Sequence, residues 1–470
     1  MTTSPSIAVV HYPEGAGHAT RMLAVANALA DAGAEVSVAG GGAGQAFVAL
    51  NGYDAFEPTA VDYIDTYQGG SLRGVLARSL PATTARVTEL VRWLRETDPD
   101  AVVTDDMFAA MAAVRTDTRL YALKHDLPAL YDDRIERAGA AFHTDVQRTA
   151  AERLFYPAVW PRTESEPDGV TRVPPVALTG AAEPEPRDVA DVFVVPSHYS
   201  ELDRIAGTLD APDYDVTNVA DDDWETTPSL LPYLRAADLV ICSGYSTVMD
   251  AAVAETPCIV HPATDEQRAV ADRIERFDLD GFAVAETPFD VVEAVTAPPG
   301  APNYENGADR IARSVLRDVE TEAPDETEGD ADPETGRVRA AAATATEGLA
   351  RVGAAGRDAA SVAIGGLRRG VERSVAAGRT LATEVTSRVR ATASGCRRYA
   401  AASVVALLVG SVFVRGRTAR SGRRFAGAVR AGGGRLRGAA TRVGVGAARA
   451  LSDVADRLRH GVRTGIETAR

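Results

Sequence analysis

The chain is poor in cysteine, nearly devoid of lysine and short of aromatics. Three cysteines in 470 residues, Cys242, Cys258 and Cys396, are too few for a disulfide framework. No C-x-x-C pair or Cys/His cluster suggests a metal site, and Cys242 and Cys258 sit in or beside apolar runs, where a thiol packs as a small hydrophobe. Lys124 is the only lysine. The opening "MTTSPSIAVV" lacks both a basic region and a long apolar region, so no signal peptide is expected and the body of the chain is read as cytoplasmic.

Positive charge is scarce in one part and concentrated in the other. Residues 1–336 carry 59 Asp and Glu against 24 Arg and Lys, a net −35, whereas residues 337–470 carry 26 Arg against 7 acids, a net +19. The acids of the first part are scattered rather than clustered, as on a solvated surface suited to a high-salt cytoplasm, where ions screen self-repulsion. A halophilic source is the expectation. Acidity so distributed says little about partners.

What is present is alternation. From residue 6 to about 296, short β-branched runs alternate with helical patterns, the mark of parallel sheets with helices on their faces. The clearest strands are "SIAVVH", "AEVSVAG", "DAVVTDD", "RLYALKH", "DVFVVPS", "ADLVICS" and "PCIVHP". A Pro-, Gly- and acid-rich break, "TESEPDGVTRVPPVALTGAAEPEPRD", divides the fourth from the fifth. The expected organisation is an α/β domain over 1–160, a linker over 161–190, a second α/β domain over 191–317, an acidic disordered linker over 318–337 and an Ala/Arg/Gly-rich tail over 338–470.

The tail has only Tyr399, Phe413 and Phe425 as aromatics, so it has little to build a core from. Within it, Tyr399–Val414 is uncharged, flanked by Arg397, Arg398 and Arg415. As a helix it would span roughly 24 Å, short of the roughly 30 Å hydrocarbon core. Two readings stay open: a buried helix or disordered tail, and a shallow membrane anchor whose arginines meet anionic headgroups. Scarce stacking aromatics disfavour nucleic acid as a partner.

Two stretches carry chemistry. In "HYPEGAGHATRMLAVANAL", Gly15-Ala16-Gly17 begins a G-x-G pattern, but Thr20 stands at the third glycine position and no acid ends the second strand, which disfavours a dinucleotide. What remains is a close-approach loop carrying His18 at a helix start. In "AADLVICSGYSTVMDAAVAETPCIVHPATDEQRAVA", a strand ends at Ser243-Gly244 and a helix opens near Ser246-Thr247. Backbone N–H groups and hydroxyls converging at a helix N-terminus suit a diphosphate. Asp250, one turn further in, is placed to accept the vicinal hydroxyls of a ribose, and Asp265, Glu266 and Gln267 are placed for sugar hydroxyls.

These residues resemble the GT-B nucleotide-sugar glycosyltransferases. The likeness is to the branch that adds N-acetylglucosamine to the lipid-linked peptidoglycan precursor (glycosyltransferase family 28-like) and to archaeal relatives with a G-x-G-H-x-x-R opening. The resemblance covers residues 6–296 and rests on Gly15, Gly17, His18 and Arg21, on the acids Asp105 and Asp106 at a strand end, and on His125. In the second half it rests on Ser243, Gly244, Thr247, Asp250, Pro257, Pro262, Gln267 and Ala271. It departs from the family in "VVPSHYSELDRI", which has no glycine turn after the first strand of the second half, in Asp250 where Glu is usual, and in Val270 where the pattern has Asn.

The resemblance implies two Rossmann-like domains facing an interdomain cleft, with the acceptor held by the first half and the donor by the second. It further implies an inverting transfer from a nucleotide-diphosphate sugar, with a UDP-sugar expected, to a hydroxyl acceptor, a lipid-linked one in that branch. No cofactor and no metal is implied. For the general base the candidates are His18 and Asp105 or Asp106; the substrate-binding candidates are Gly15, Gly17, His125, Ser243, Gly244, Ser246, Thr247, Asp250, Glu266 and Gln267. His11, His18, His125, His198 and His261 all fall at or just after expected strand ends, where open α/β sheets bind ligands. The basic tail leaves a peripheral location on the inner face of the cell membrane open. The competing readings are a non-catalytic, membrane-tethered nucleotide-sugar binding protein and a sugar-nucleotide epimerase.

Overall fold

A computed structural model of the protein describes residues 4–61, 80–131, 134–164, 166–179, 190–197, 200–209 and 214–321. The expected tail and its Tyr399–Val414 segment lie outside these residues, as do His198 and Tyr199. Among the described residues no helix is long and apolar enough to cross a membrane.

All seven strands expected from the sequence are present, and four more join them. The first sheet contains β1 (Ser6–Val10), β2 (Glu35–Ala39), β3 (Ala101–Thr104), β4 (Arg119–Leu123), β5 (Arg153–Pro157) and β6 (Val170–Val173), in the spatial order β2-β1-β3-β4-β5-β6. The second contains β7 (Val192–Val195), β8 (Val216–Asn218), β9 (Leu239–Cys242), β10 (Cys258–Val260) and β11 (Phe282–Val284), in the order β11-β10-β9-β7-β8. All pairings are parallel. Strands such as "AVVT" and "LVIC" are buried along their whole length, as strands covered by helices on both faces must be. The architecture is therefore α/β, with two doubly wound units as the resemblance implied.

Helices cover both faces. In the first unit these are α1 (Ala16–Asp31), α2 (Gln45–Leu50), α3 (Leu80–Thr97), α4 (Met107–Thr116) and α5 (Arg134–Ala150). In the second they are α6 (Leu202–Leu209), α7 (Leu231–Ala236), α8 (Tyr245–Ala254), α9 (Asp265–Arg276) and α10 (Pro288–Thr296), followed by α11 (Ala308–Thr321). The last helix returns to the first unit: Ala308, Ile311, Ala312, Val315 and Leu316 form one apolar stripe that packs with Met22, Val25 and Leu29 of α1. Arg153 of β5 closes this contact with two bonds to the Asp318 carboxylate, at 2.6 and 2.8 Å.

Two expected boundaries change accordingly. The segment 161–190 is not all linker, because Val170–Val173 extends the first sheet by a strand. Its four residues sit among prolines and glycine, too short a run to show alternation. Residues 318–321 belong to α11 rather than to the acidic linker, because the helix is held down by its apolar stripe and by Arg153.

The two units meet through a shared apolar cluster in which Leu127, Tyr156 and Trp160 of the first pack with Leu234, Tyr245 and Val248 of the second. Tyr245 donates its hydroxyl to Pro157 O, and Arg273 of α9 lies over the Trp160 ring while donating to Ala129 O at 2.7 Å. The packing brings the carboxyl ends of both sheets together.

Candidate active site

In a doubly wound sheet the loops after the first strand and after the strand on its far side run in opposite directions, which opens a crevice at the carboxyl ends. In the first sheet that point lies between β1 and β3, and in the second between β7 and β9. The two crevices face one another. Gly17 at the start of α1 lies so close to α8 that a Cβ there would sit 2.3 Å from Ser246 Oγ, so any side chain would force Ser246 to move. Gly15, the residue before α1, has φ +74°, a left-handed conformation in which glycine is at ease.

At the β1/β3 crevice stands a compact charge cluster. Asp105, one residue past β3, takes the Tyr12 N–H on Oδ1 at 2.9 Å and His18 Nδ1 on Oδ2 at 2.8 Å. Arg21, one turn along α1 from His18, donates from one terminal nitrogen to the same Oδ2 at 2.6 Å. Burial by itself would raise the Asp105 pKa, but the His18 and Arg21 charges and the bonds from His18 and the Tyr12 N–H hold it well below the usual carboxylate range. An ionised Asp105 assigns the His18 hydrogen to Nδ1, and Nε2 keeps its lone pair. Burial lowers the His18 pKa, with Arg21 and His125 acting in the same direction and Asp105 opposing them. This is the arrangement of an oriented general base.

Asp106 has a different surrounding. Its Oδ1 caps α4 by accepting the Phe108 N–H at 2.7 Å, and its Oδ2 takes Arg86 at 2.8 Å, with both side chains fully buried. Arg86 also donates to Gly40 O, Pro58 O, Thr59 O and His11 O. Asp106 is thus bound up in the framework beneath the crevice.

His125, two residues past β4, places its ring 5.2 Å from that of His18 and lies across the interface from α9, its Nε2 3.3 Å from Glu266 Oε1. Burial alone would raise the Glu266 pKa, but the bond from His125 and its charge lower it. The structure therefore joins His18, Asp105, Arg21, His125 and Glu266 into one cluster drawn from both units.

The second crevice is set for an anion. Gly244 precedes α8 without a side chain to cap it, so the first N–H groups of the helix lack that partner. Ser243 Oγ is buried with no hydrogen-bond partner among the described residues, and so is Ser197 Oγ, just past β7. Thr247 is buried in the first turn of α8, and Ser246 is half-buried beside Gly17. Asp250 is half-buried; burial pushes its pKa up to about 7, against the pull of Arg21. Gln267 uses Oε1 to accept the Ala263 and Thr264 N–H groups in the capping box of α9, while its Nε2 lies toward Gly244.

Two of the five strand-end histidines serve the fold. His11 and His261 are buried, with Nδ1 on the carbonyls of Tyr12 and Ala285 at 3.0 and 2.7 Å. Sequence reasoning assigned no role to Arg21 or Ser197. Arg21 was visible only as part of the opening pattern, and nothing in "VVPSHYS" singles out Ser197 before the two sheets are assembled. Among the described residues no group of three or more His, Cys, Asp and Glu is placed to hold a metal ion.

No family model matches the chain, and no curated protein matches it. Solved structures with a similar course include the spinosyn rhamnosyltransferase SpnG, at 17% identity and a TM-score of 0.45, covering 68% of this chain and 96% of that one. The glycosyltransferase SnogD from Streptomyces nogalater shows 18% identity and a TM-score of 0.45, with the same coverage. The Streptomyces sp. SF2575 glycosyltransferase SsfS6, complexed with thymidine diphosphate, shows 14% identity and a TM-score of 0.46, covering 67% of this chain and 96% of that one. At such identities and scores these likenesses settle no residue's role.

Proposed function

We propose that the protein is an inverting glycosyltransferase that moves a sugar from a nucleotide-diphosphate donor to a hydroxyl acceptor, the first unit holding the acceptor and the second the donor. The observation that carries this reading is the face-to-face placement of two unlike crevices. One bears an imidazole oriented by a buried carboxylate. The other bears a helix N-terminus without a side-chain cap and two buried hydroxyls without a partner among the described residues.

In this reading His18 Nε2 takes the acceptor hydroxyl's proton as the oxygen attacks the anomeric carbon from the face opposite the donor phosphate. The carbon–oxygen bond to that phosphate breaks, and configuration inverts in the single displacement. The departing diphosphate carries its charge into the α8 N-terminus, where N–H groups and the hydroxyls of Ser243 and Thr247 stabilise it. Asp250 holds the ribose, and Glu266 and Gln267 hold the sugar. Asp105 keeps the His18 tautomer and stabilises the imidazolium that forms. Asp106 belongs to the framework in this reading.

A UDP-sugar donor and a lipid-linked acceptor are the finer proposal; the basic, Arg-flanked Tyr399–Val414 segment motivates the second by offering a means of holding the enzyme at a membrane surface. The test is to incubate the full chain with a panel of UDP-, dTDP- and GDP-sugars and follow nucleotide release with and without hydroxyl acceptors. Release of nucleoside diphosphate dependent on His18 supports the reading. Tight donor binding with neither hydrolysis nor transfer makes the protein a binder, and donor epimerisation makes it an epimerase.

A further inference from the structure

We propose that Arg21 is the positioning residue of this site, sharing the Asp105 carboxylate oxygen with His18 and keeping a second proton off the imidazole. The proposal rests on the transferase reading above for its meaning in catalysis, but on geometry for its substance. His18 and Arg21 are neighbours at i and i+3 on α1, so both side chains leave the same face of the helix. Both reach Asp105 Oδ2, and the Arg21 terminal nitrogen lies 3.0 Å from His18 Nδ1. With Nδ1–H given to the Asp105 carboxylate, the Arg21 nitrogen is a second donor on the same oxygen, not a partner of Nδ1. A protonated His18 would place a second cation against a buried guanidinium, with only one carboxylate between them.

Arg21 does not look like an arginine retained for packing. Arg86, equally buried, spends Nε and both terminal nitrogens on a carboxylate and four carbonyls. Arg21 gives one terminal nitrogen to Asp105, and its Nε is buried without a partner among the described residues. Its charge also acts on Asp250 of α8.

The groups facing His18 are Asp105 after β3, Arg21 on its own helix, His125 after β4 and the Tyr12 ring after β1, with Glu266 of α9 within electrostatic reach. Asp105 and Glu266 favour a proton on His18, whereas burial, Arg21 and His125 oppose it. Removing Arg21 therefore takes away one of the influences that, with burial, keep the second proton off.

The experiment is an NMR titration of the His18 imidazole in the full chain, as wild type, Arg21→Gln and Arg21→Lys, with the His18 signal assigned from a His18→Gln variant. Arg21→Gln is expected to raise the His18 midpoint by about 1 unit, and Arg21→Lys by less, since a nearby charge shifts a titration by 1–3 units. In turnover, the acid limb of the kcat/KM profile moves up with it, so Arg21→Gln loses more at pH 6 than at pH 9, and Arg21→Lys restores part of the acid-side loss. A His18 midpoint in folded Arg21→Gln that coincides with wild type overturns the proposal, as does a loss equal at every pH. If Arg21→Gln fails to fold, an unshifted midpoint in Arg21→Lys overturns it. Failure of the wild type to transfer sugar would sink the transferase reading and leave the titration to decide this one.

Discussion

Asp105 and Asp106 are adjacent in sequence, both buried, each paired with a buried arginine, yet they occupy different worlds. Asp106 and Arg86 sit below the crevice floor, and every polar atom of that pair has a local use: capping α4, tying the loops after β1 and β2, and neutralising each other. Asp105 and Arg21 sit at the crevice itself, share a histidine and leave a guanidinium nitrogen unsatisfied. Because consecutive residues at a strand end point to opposite sides, one carboxylate enters the framework and its neighbour enters the site. A fully satisfied pair contributes to the fold, whereas a partly satisfied one in a crevice is a candidate for chemistry.

The contrast breaks most visibly at Arg86. Arg86→Met should destabilise the protein by about 3–5 kcal/mol, because it leaves the Asp106 carboxylate buried and uncompensated. Urea unfolding would measure this, and a loss under about 1 kcal/mol would show that Asp106 relaxes to solvent. Next in size is His18→Ala, expected to lower kcat by roughly 10²–10⁴-fold with donor affinity and unfolding free energy little changed. Near-normal turnover would make His18 a loop residue and return attention to Asp105.

On the donor side the expected effects are smaller. Asp250→Ala should weaken donor binding by about 1–3 kcal/mol in calorimetry, the cost of leaving ribose hydroxyls unpaired. Unchanged affinity removes Asp250 from the site. The smallest effect is one of pH. With its pKa at about 7, Asp250 is ionised above neutrality and takes a proton as pH falls below it. If the ribose binds the ionised form, donor affinity should drop by up to about tenfold between pH 8 and pH 6, and Asp250→Asn should flatten that dependence. A flat wild-type profile would mean that the donor binds both protonation states equally.

The strands that alternation revealed were those with unbroken β-branched runs, such as "SIAVV" and "ADLVIC". Those it missed are β8 and β11, of three residues each, and β5 and β6, whose runs contain arginine, threonine or proline. Short strands that borrow their register from a neighbour carry little periodicity of their own. The strand-to-helix turn at Ser243-Gly244 was readable because a strand, a glycine and a hydroxyl-bearing helix start are contiguous. Choosing between Asp105 and Asp106 was not, because it turns on partners 84 and 20 residues away.

Local pattern alone determined two α/β units, the strand-end loops with His18 and Ser243-Gly244, and the division into an acidic body and a basic tail. Each of these follows from composition or from neighbours in the chain. Tertiary structure decided that α11 returns to the first unit, that His125 reaches Glu266 across the interface, and that Arg21 joins the His18–Asp105 pair. Charge–charge energies depend on distance and on burial, and both are set only when elements distant in sequence pack against one another.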